Sequence, residues 1–197
     1  VSNNNLGPRL ILASASPRRK ELLKQIGLDF EIMPSAIDET VPPGIAPAVA
    51  AVKLAENKAL NVASRIEDGI VIAADTIVAL GDRILGKPKD EEEARKMLES
   101  LSGRWHKVFT GIAVIDSSLS RKITDCEESR VKFKNLSSSE IENYIKTGEP
   151  MDKAGAYGIQ GKGALLVEKI EGCYYNIVGL PVFKLSLLLS NFGIRIL

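Results

Sequence analysis

Hydrophobic positions along the chain change period several times, and the changes predict an order of elements. Leu10 to Ala13 is a short apolar run bounded by small polar residues, and Leu22, Leu23 and Ile26 follow at helical spacing before Gly27. This reads as strand, tight loop and helix, with Ser16 as N-cap, Pro17 in the first turn and Gly27 as the stop. Four prolines and a glycine between Pro34 and Pro47 predict an irregular loop that carries Asp38 and Glu39. From about Pro47 to Ile66, the positions Ala48, Val52, Ala55, Ala59, Val62 and Ile66 form the apolar stripe of a helix. Ile70 to Leu80 is an eleven-residue run with Asp75 as its only charge and Thr76 as its only other polar residue. That is the pattern of a strand covered on both faces. Gly81-Asp82 then turns a hairpin into Arg83 to Leu85.

The second half continues the alternation. A helix is expected from Asp90 to Leu101, opened by an Asp90/Glu93 cap and burying Ala94, Met97, Leu98 and Leu101. Val108 to Ile115 and Glu128 to Phe133 read as strands, and Ser137 to Lys146 as a short capped helix ending at Gly148. Two further strands, Ala164 to Ile170 and Tyr174 to Val178, are expected to turn at Glu171-Gly172, with Tyr174 and Tyr175 serving the core. A last helix is expected from about Pro181 to Phe192. The chain shows no repeat, linker or low-complexity tract, so its 197 residues read as one mixed α/β unit over 9–197 with an N-terminal extension over 1–8.

Composition narrows the chemistry. With 26 basic and 25 acidic residues the formal charge is +1, which argues against a broad footprint for duplex nucleic acid. Cys126 and Cys173 are too few and too far apart for a disulfide framework or a cysteine zinc site, and they suit a reducing, cytoplasmic setting. His106 is the only histidine, so an HExxH zinc site is excluded. It sits beside Trp105 at a strand start, where a structural role is expected. No apolar run approaches the roughly 18 residues of a membrane span, and VSNNNLGPR lacks the apolar core of a signal peptide, so a soluble protein without membrane contact is expected.

Charge that fits its surroundings poorly marks the candidate site. In SASPRRKELL, Arg18, Arg19 and Lys20 crowd the first turn of a helix whose N-terminus already carries partial positive charge. With the hydroxyls of Ser14 and Ser16 and unpaired backbone N–H groups they would receive a phosphate. The alternative is a solvated basic turn partly balanced by Glu21. Asp75, inside an apolar strand, needs a cation or several donors, unless the run is two strands with Asp75 capping a turn between them. Glu39, or Asp38, would supply a second carboxylate to a metal ion there. Lys58 lies against the apolar stripe of its helix, so its ammonium either snorkels out or meets an anion. Gly81-x-x-x-x-Gly86-Lys87 ends on Pro88, which has no hydroxyl for magnesium, so a phosphate-binding loop is rejected and Lys87 remains a phosphate contact beyond a hairpin. EPMDKAGAYGIQGKG has four glycines from Gly155 to Gly163 and suits a loop that a ligand approaches closely. Asp152, Lys153 and Gln160 are its polar side chains, and Gln160 offers the donor and acceptors that base-edge recognition requires.

Assembled, these residues resemble the Maf family of nucleoside triphosphate pyrophosphatases. The resemblance spans Arg9 to Phe192 through five ordered blocks: LASASPRR, AADTIV, GKP, LSGRWHKVFTG and EPMDKAGAYGIQG. It implies an ITPase-like α/β fold, a mixed elongated sheet flanked by helices in two lobes with the substrate in the cleft. It also implies hydrolysis between the α and β phosphates with a divalent cation, Mg or Mn, and an expected homodimer. Asp75 falls on the family's proton acceptor and metal contact, and Glu39 on its acidic loop residue. Ser14, Arg18, Arg19, Lys58 and Lys87 fall on polar and basic cleft positions. Arg18, Thr76 and Gln160 fall on specificity positions. The ADT form resembles the branch that acts on dTTP, UTP and modified pyrimidine nucleotides, a house-cleaning activity with a link to arrest of cell division. The competing expectation is a regulator of septum formation that binds a nucleotide without hydrolysing it.

Overall fold

A computed structural model of the chain describes residues 8–42, 44–118 and 121–197. Apart from Pro8, the expected N-terminal extension therefore lies outside the described residues, as does Pro43 of the proline-rich loop. The elements, in chain order, are β1 (Leu10–Leu12), α1 (Pro17–Gln25), β2 (Glu31–Ile32), α2 (Pro47–Ala63), β3 (Ile70–Leu80), β4 (Arg83–Leu85), α3 (Glu91–Leu101), β5 (Trp105–Asp116), β6 (Arg121–Phe133), α4 (Ser138–Ile145), β7 (Val167–Glu171), α5 (Tyr174–Val178) and α6 (Val182–Ser190). Three short 3-10 turns, Glu149–Asp152, Ala154–Ala156 and Gly161–Leu166, carry the glycine-rich segment. Among the described residues no helix is long and apolar enough to cross a membrane.

The apolar run Ile70–Leu80 becomes the spine of a mixed seven-stranded sheet ordered β2-β1-β3-β5-β6-β7, with β4 paired to β3 off that path. One edge of β3 pairs antiparallel with β5 from Ile70 to Ala79. The other edge is shared: β1 runs parallel beside Ile70 to Ile72, and β4 runs antiparallel beside Val78 to Leu80. Between those two partners the sheet forks, and Asp75 and Thr76 lie in the fork. This is where open α/β sheets commonly hold ligands, beyond the carboxyl end of a parallel strand.

Alternation along β3 then divides the core. Ile70, Ile72 and Ala74 meet Leu22 and Leu23 of α1, Val178 of α5 and Leu185, Leu188 and Leu189 of α6. Further along the same face, Val78 meets Leu98 and Leu101 of α3, Ile141 and Tyr144 of α4, and Tyr157. These two clusters are the cores of two lobes. On the opposite face, Val71 and Ala73 meet Ala55, Ala59 and Val62 of α2. Gly111 fixes how closely α2 sits. It pairs with Asp75 across the β3–β5 ladder, and a Cβ there would lie 2.3 Å from the backbone carbonyl of Ala51. Two helical turns beyond Ala51, α2 brings Lys58 over Asp75.

Sequence expectations need correction at β6 and at Tyr174–Val178, and β2 carried none. β6 begins at Arg121, not near Glu128, because its first half is largely solvated and shows no apolar run, and pairing with β5 alone defines it. β2, two exposed residues beside β1, left no pattern to read. Tyr174–Val178 is a helix instead of a strand. The fully buried Asn176 explains why: its Nδ2 donates to the carbonyl of Val108 at 3.0 Å and to Ser129 Oγ at 2.8 Å. Ser129 Oγ in turn takes up the N–H and donates to the carbonyl of Cys173, each at 3.0 Å, and this tether winds the chain before Gly179 (φ 121°). Tyr174 consequently faces solvent, while Tyr175 packs against the core as expected.

Candidate active site

Adjacent residues of a strand face opposite sides of its sheet, so the fork at Asp75-Thr76 collects side chains from both faces. On the α2 face, Asp75 (7% exposed) accepts a hydrogen bond at 2.5 Å from Lys58 Nζ, itself 6% exposed. The same ammonium lies 2.7 Å from Glu39 Oε1, and Lys87 Nζ lies 3.6 Å from Glu39 Oε2. Carboxylate and ammonium thus alternate from the strand out to the rim. Asp75 lies within one continuous strand, not in a turn between two, and the Lys58 ammonium meets anions instead of snorkelling out. Burial works to raise the Glu39 carboxyl, but the hydrogen bonds and charges of Lys58 and Lys87 outweigh it and hold Glu39 below the ordinary range. Asp38 takes no part: its carboxylate accepts from the N–H and hydroxyl of Thr40, closing a local turn.

On the α1 face the fork is closed by Arg19. Its guanidinium donates to Ser14 Oγ and Thr76 Oγ1, each at 3.2 Å, and to the carbonyl of Gly179 at 2.8 Å. Desolvation pushes this guanidinium below its ordinary value, against the raising effect of the Asp75 charge. Arg19 is therefore a clamp joining α1, β3 and the turn after α5, instead of a fork free for phosphate. Thr76 Oγ1 also shares a hydrogen bond of 2.9 Å with Thr110 Oγ1, which donates to the carbonyl of Asn176. Thr110 went unnoticed in the sequence; its opposition to Thr76 across β3 and β5 is a matter of register. At α1 itself, Ser16 occupies the N-cap position but its side chain makes no capping hydrogen bond, and the first turn holds no acidic residue.

The glycine-rich segment forms the facing wall. Arg18 reaches across to Asp152 at 3.8 Å, and Asp152 pairs with Lys153 at 2.6 Å. Lys153 also donates to the carbonyl of Glu149 at 2.6 Å, so its ammonium is largely spent within the segment. Gln160 is exposed on the cleft. Ser14, Arg18, Arg19, Glu39, Lys58, Asp75, Thr76, Lys87, Asp152, Lys153 and Gln160 all line a single cleft of about 650 Å³. That volume is within the range of small-molecule sites. His106 lies apart from these groups, its Nε2 2.7 Å from the Tyr157 hydroxyl and its ring edge-on to Phe133.

Among the described residues no three His, Cys, Asp or Glu side chains cluster as a ready-made metal cage. Asp75 and Glu39 both meet the Lys58 ammonium, and the oxygens they do not give to it are the hard donors that suit a divalent cation held by one or two acidic groups, with phosphate oxygens and water completing its shell.

The chain is similar to known proteins over nearly its whole length. A family model described as Maf-like protein matches residues 9–192. The dTTP/UTP pyrophosphatase of Caldicellulosiruptor saccharolyticus is 51% identical over 189 residues, covering 94% of this chain and 95% of that protein. The dTTP/UTP pyrophosphatase of Acetivibrio thermocellus is 53% identical over 196 residues, covering 96% and 98%. A solved HAM1 protein from Coxiella burnetii superposes with a TM-score of 0.52 at 16% identity over 94% of this chain and 100% of that one, a likeness of fold.

Proposed function

The chain belongs to the Maf family, and from that premise we propose that it is a nucleoside triphosphate pyrophosphatase acting on dTTP and UTP. It cleaves between the α and β phosphates and releases the nucleoside monophosphate and pyrophosphate. Relatives about half identical over nearly the whole chain carry that activity in their names. The observation within the molecule that supports it best is the buried Asp75 carboxylate, paired with Lys58 in a nucleotide-sized cleft that Arg18, Arg19 and Lys87 also line.

The roles follow from position. Arg18 and Lys87 stand at the rim with accessible charge and receive the triphosphate, along with the uncapped N–H groups of α1. Arg19 holds Ser14 and Thr76 in place around it. Lys58 draws Asp75 and Glu39 together, and those two carboxylates would hold a divalent cation, Mg or Mn. Such an ion supplies charge neutralisation and Lewis acidity at the phosphate oxygens. Asp75 takes the proton of a water whose oxygen bonds to the α phosphorus, while the bond to the bridging oxygen breaks and its electron pair leaves with pyrophosphate. Fixed positive charge around the departing group lowers the barrier, as is general in phosphoryl chemistry. Gln160 meets the base edge.

Pyrophosphate release should be measured over a panel of nucleoside triphosphates, with magnesium, with manganese and with a chelator. The expected result is turnover of dTTP and UTP above purine nucleotides, abolished by the chelator. Asp75→Asn should lower turnover by about 10³-fold or more, as expected for loss of a general base that also binds the cation. No product from any nucleotide would overturn the proposal in favour of a binding protein, and undiminished turnover in chelator would remove the cation from it.

A further inference from the structure

The cleft's facing wall is built on a side chain that does not itself line the cleft. Glu149 stands at the head of the glycine-rich segment, and its carboxylate gathers the far end of that segment. Oε2 accepts from the N–H of Lys162 at 3.1 Å, and Oε1 accepts from the N–H of Gly163 at 3.1 Å and from the Tyr144 hydroxyl at 3.2 Å. The same Tyr144 oxygen accepts from the N–H of Gly158 at 3.2 Å. One carboxylate and one phenol therefore fix three backbone amides on both sides of Gln160. Burial pushes the Tyr144 phenol above its ordinary value, so it keeps the proton that it donates to Glu149.

The segment itself cannot supply this order. It has no regular ladder, only three short 3-10 turns, with left-handed backbone at Gly155 (φ 70°) and at the buried non-glycine Ala156 (φ 58°). Space is tight as well as strained: a Cβ at Gly163 would lie 2.1 Å from the carbonyl oxygen of Gly158. A conformation of this kind persists only where neighbouring groups over-determine it. At the phosphate end it is tied by the Gly155 N–H to the carbonyl of Gly86, next to Lys87. The Gln160 end is tied by Glu149 and Tyr144.

We infer that Glu149, braced by Tyr144, is a positioning residue for nucleobase selection: it sets the place of Gln160 without touching substrate and without serving the triphosphate. The inference rests on the pyrophosphatase reading above.

Inorganic tripolyphosphate separates the two halves of the site, because it carries the phosphates and no base. In Glu149→Gln, which keeps shape but offers an NH₂ group to amides that need an acceptor, KM for dTTP and UTP should rise about 10-fold with kcat held within about 3-fold. The preference for pyrimidine over purine triphosphates should narrow by a similar factor, while inhibition by tripolyphosphate stays within about 2-fold. Tyr144→Phe should move the same quantities in the same direction, and it decides the matter alone should Glu149→Gln fail to fold. Unchanged base preference in a folded variant would overturn the inference, as would parallel loss of nucleotide and tripolyphosphate binding. Failure of the wild-type chain to hydrolyse any nucleotide would sink the pyrophosphatase reading instead, a result distinct from an active wild type with an unaltered variant.

Discussion

The pair between Lys58 and Asp75 makes a prediction about stability that is independent of any substrate. Lys58→Met keeps an unbranched stem on the apolar stripe of α2 and removes only the ammonium. Asp75 would then sit at 7% exposure beside Glu39 with no cation at 2.5 Å. Removing one partner of a buried pair costs about 3–5 kcal/mol, because the charge left behind is uncompensated. The cleft admits water to one side of Asp75, so the lower end, about 3 kcal/mol, is expected. For a chain of 197 residues that corresponds to a fall in Tm of about 6–12 °C. Replacing both partners, Lys58→Met with Asp75→Asn, removes the stranded charge and should recover about 2 kcal/mol of the loss. Glu39, with its side chain 47% exposed, can rehydrate and should limit the recovery little. Urea unfolding followed by the fluorescence of Trp105, the single tryptophan, gives all four corners of the cycle. A single-variant cost below about 0.5 kcal/mol, or strictly additive costs, would show that β3 tolerates an unpartnered carboxylate and would refute the reasoning.

Two further predictions concern the scaffold. Gly111→Ala drives a methyl group to 2.3 Å from the Ala51 carbonyl, so α2 must move off the sheet; a loss of about 1–3 kcal/mol in urea unfolding is expected, with reduced turnover because Lys58 moves too. A neutral outcome would mean that α2 is not seated by that glycine. Burial lowers the pKa of His106 to about 4, so between its unfolded value of 6.5 and that point only the unfolded chain binds the extra proton, and stability falls as pH falls. Between pH 6.5 and pH 5 this amounts to about 1.5 kcal/mol, a slope that His106→Gln should largely flatten in the same unfolding assay. A slope unchanged in that variant would assign the acid sensitivity to other groups.

The strength of the sequence signal decided how much of the fold could be read. Ile70–Leu80 announced itself as a strand because eleven nearly uninterrupted apolar residues must be covered on both faces, and α3 because Asp90 caps it through Glu93 N–H at 2.8 Å. Tyr174–Val178 failed for the opposite reason. Five half-apolar residues fit either period, and the deciding interactions come from Ser129 and Val108, distant in sequence. The first half of β6 likewise owes its conformation to the ladder with β5 and not to its own residues.

The candidate site divides along the same line. Asp75, Lys58 and the Arg18-Arg19 pair were legible because each breaks a local rule: a charge in an apolar strand, a charge on an apolar stripe, cations at a positive helix end. A broken rule shows that a partner is needed, but not which one. Lys58 could be read as snorkelling until α2, seated on Gly111, placed it over Asp75. Arg19 looked like a second phosphate fork until three oxygens of the protein claimed it. Glu149 broke no rule at all, since an acidic residue at the start of a turn is ordinary, and its importance lies wholly in the amides of residues thirteen and fourteen positions further on. What converts these separate anomalies into one site is the length of two short strands. Because β1 releases β3 after Ile72 and β4 joins it only at Val78, the intervening edge carries Asp75 to one face and Thr76 to the other, and the groups recruited from both faces meet in the gap. Extending β4 by pairing would close that gap, so the chemistry depends on the sheet remaining incomplete there.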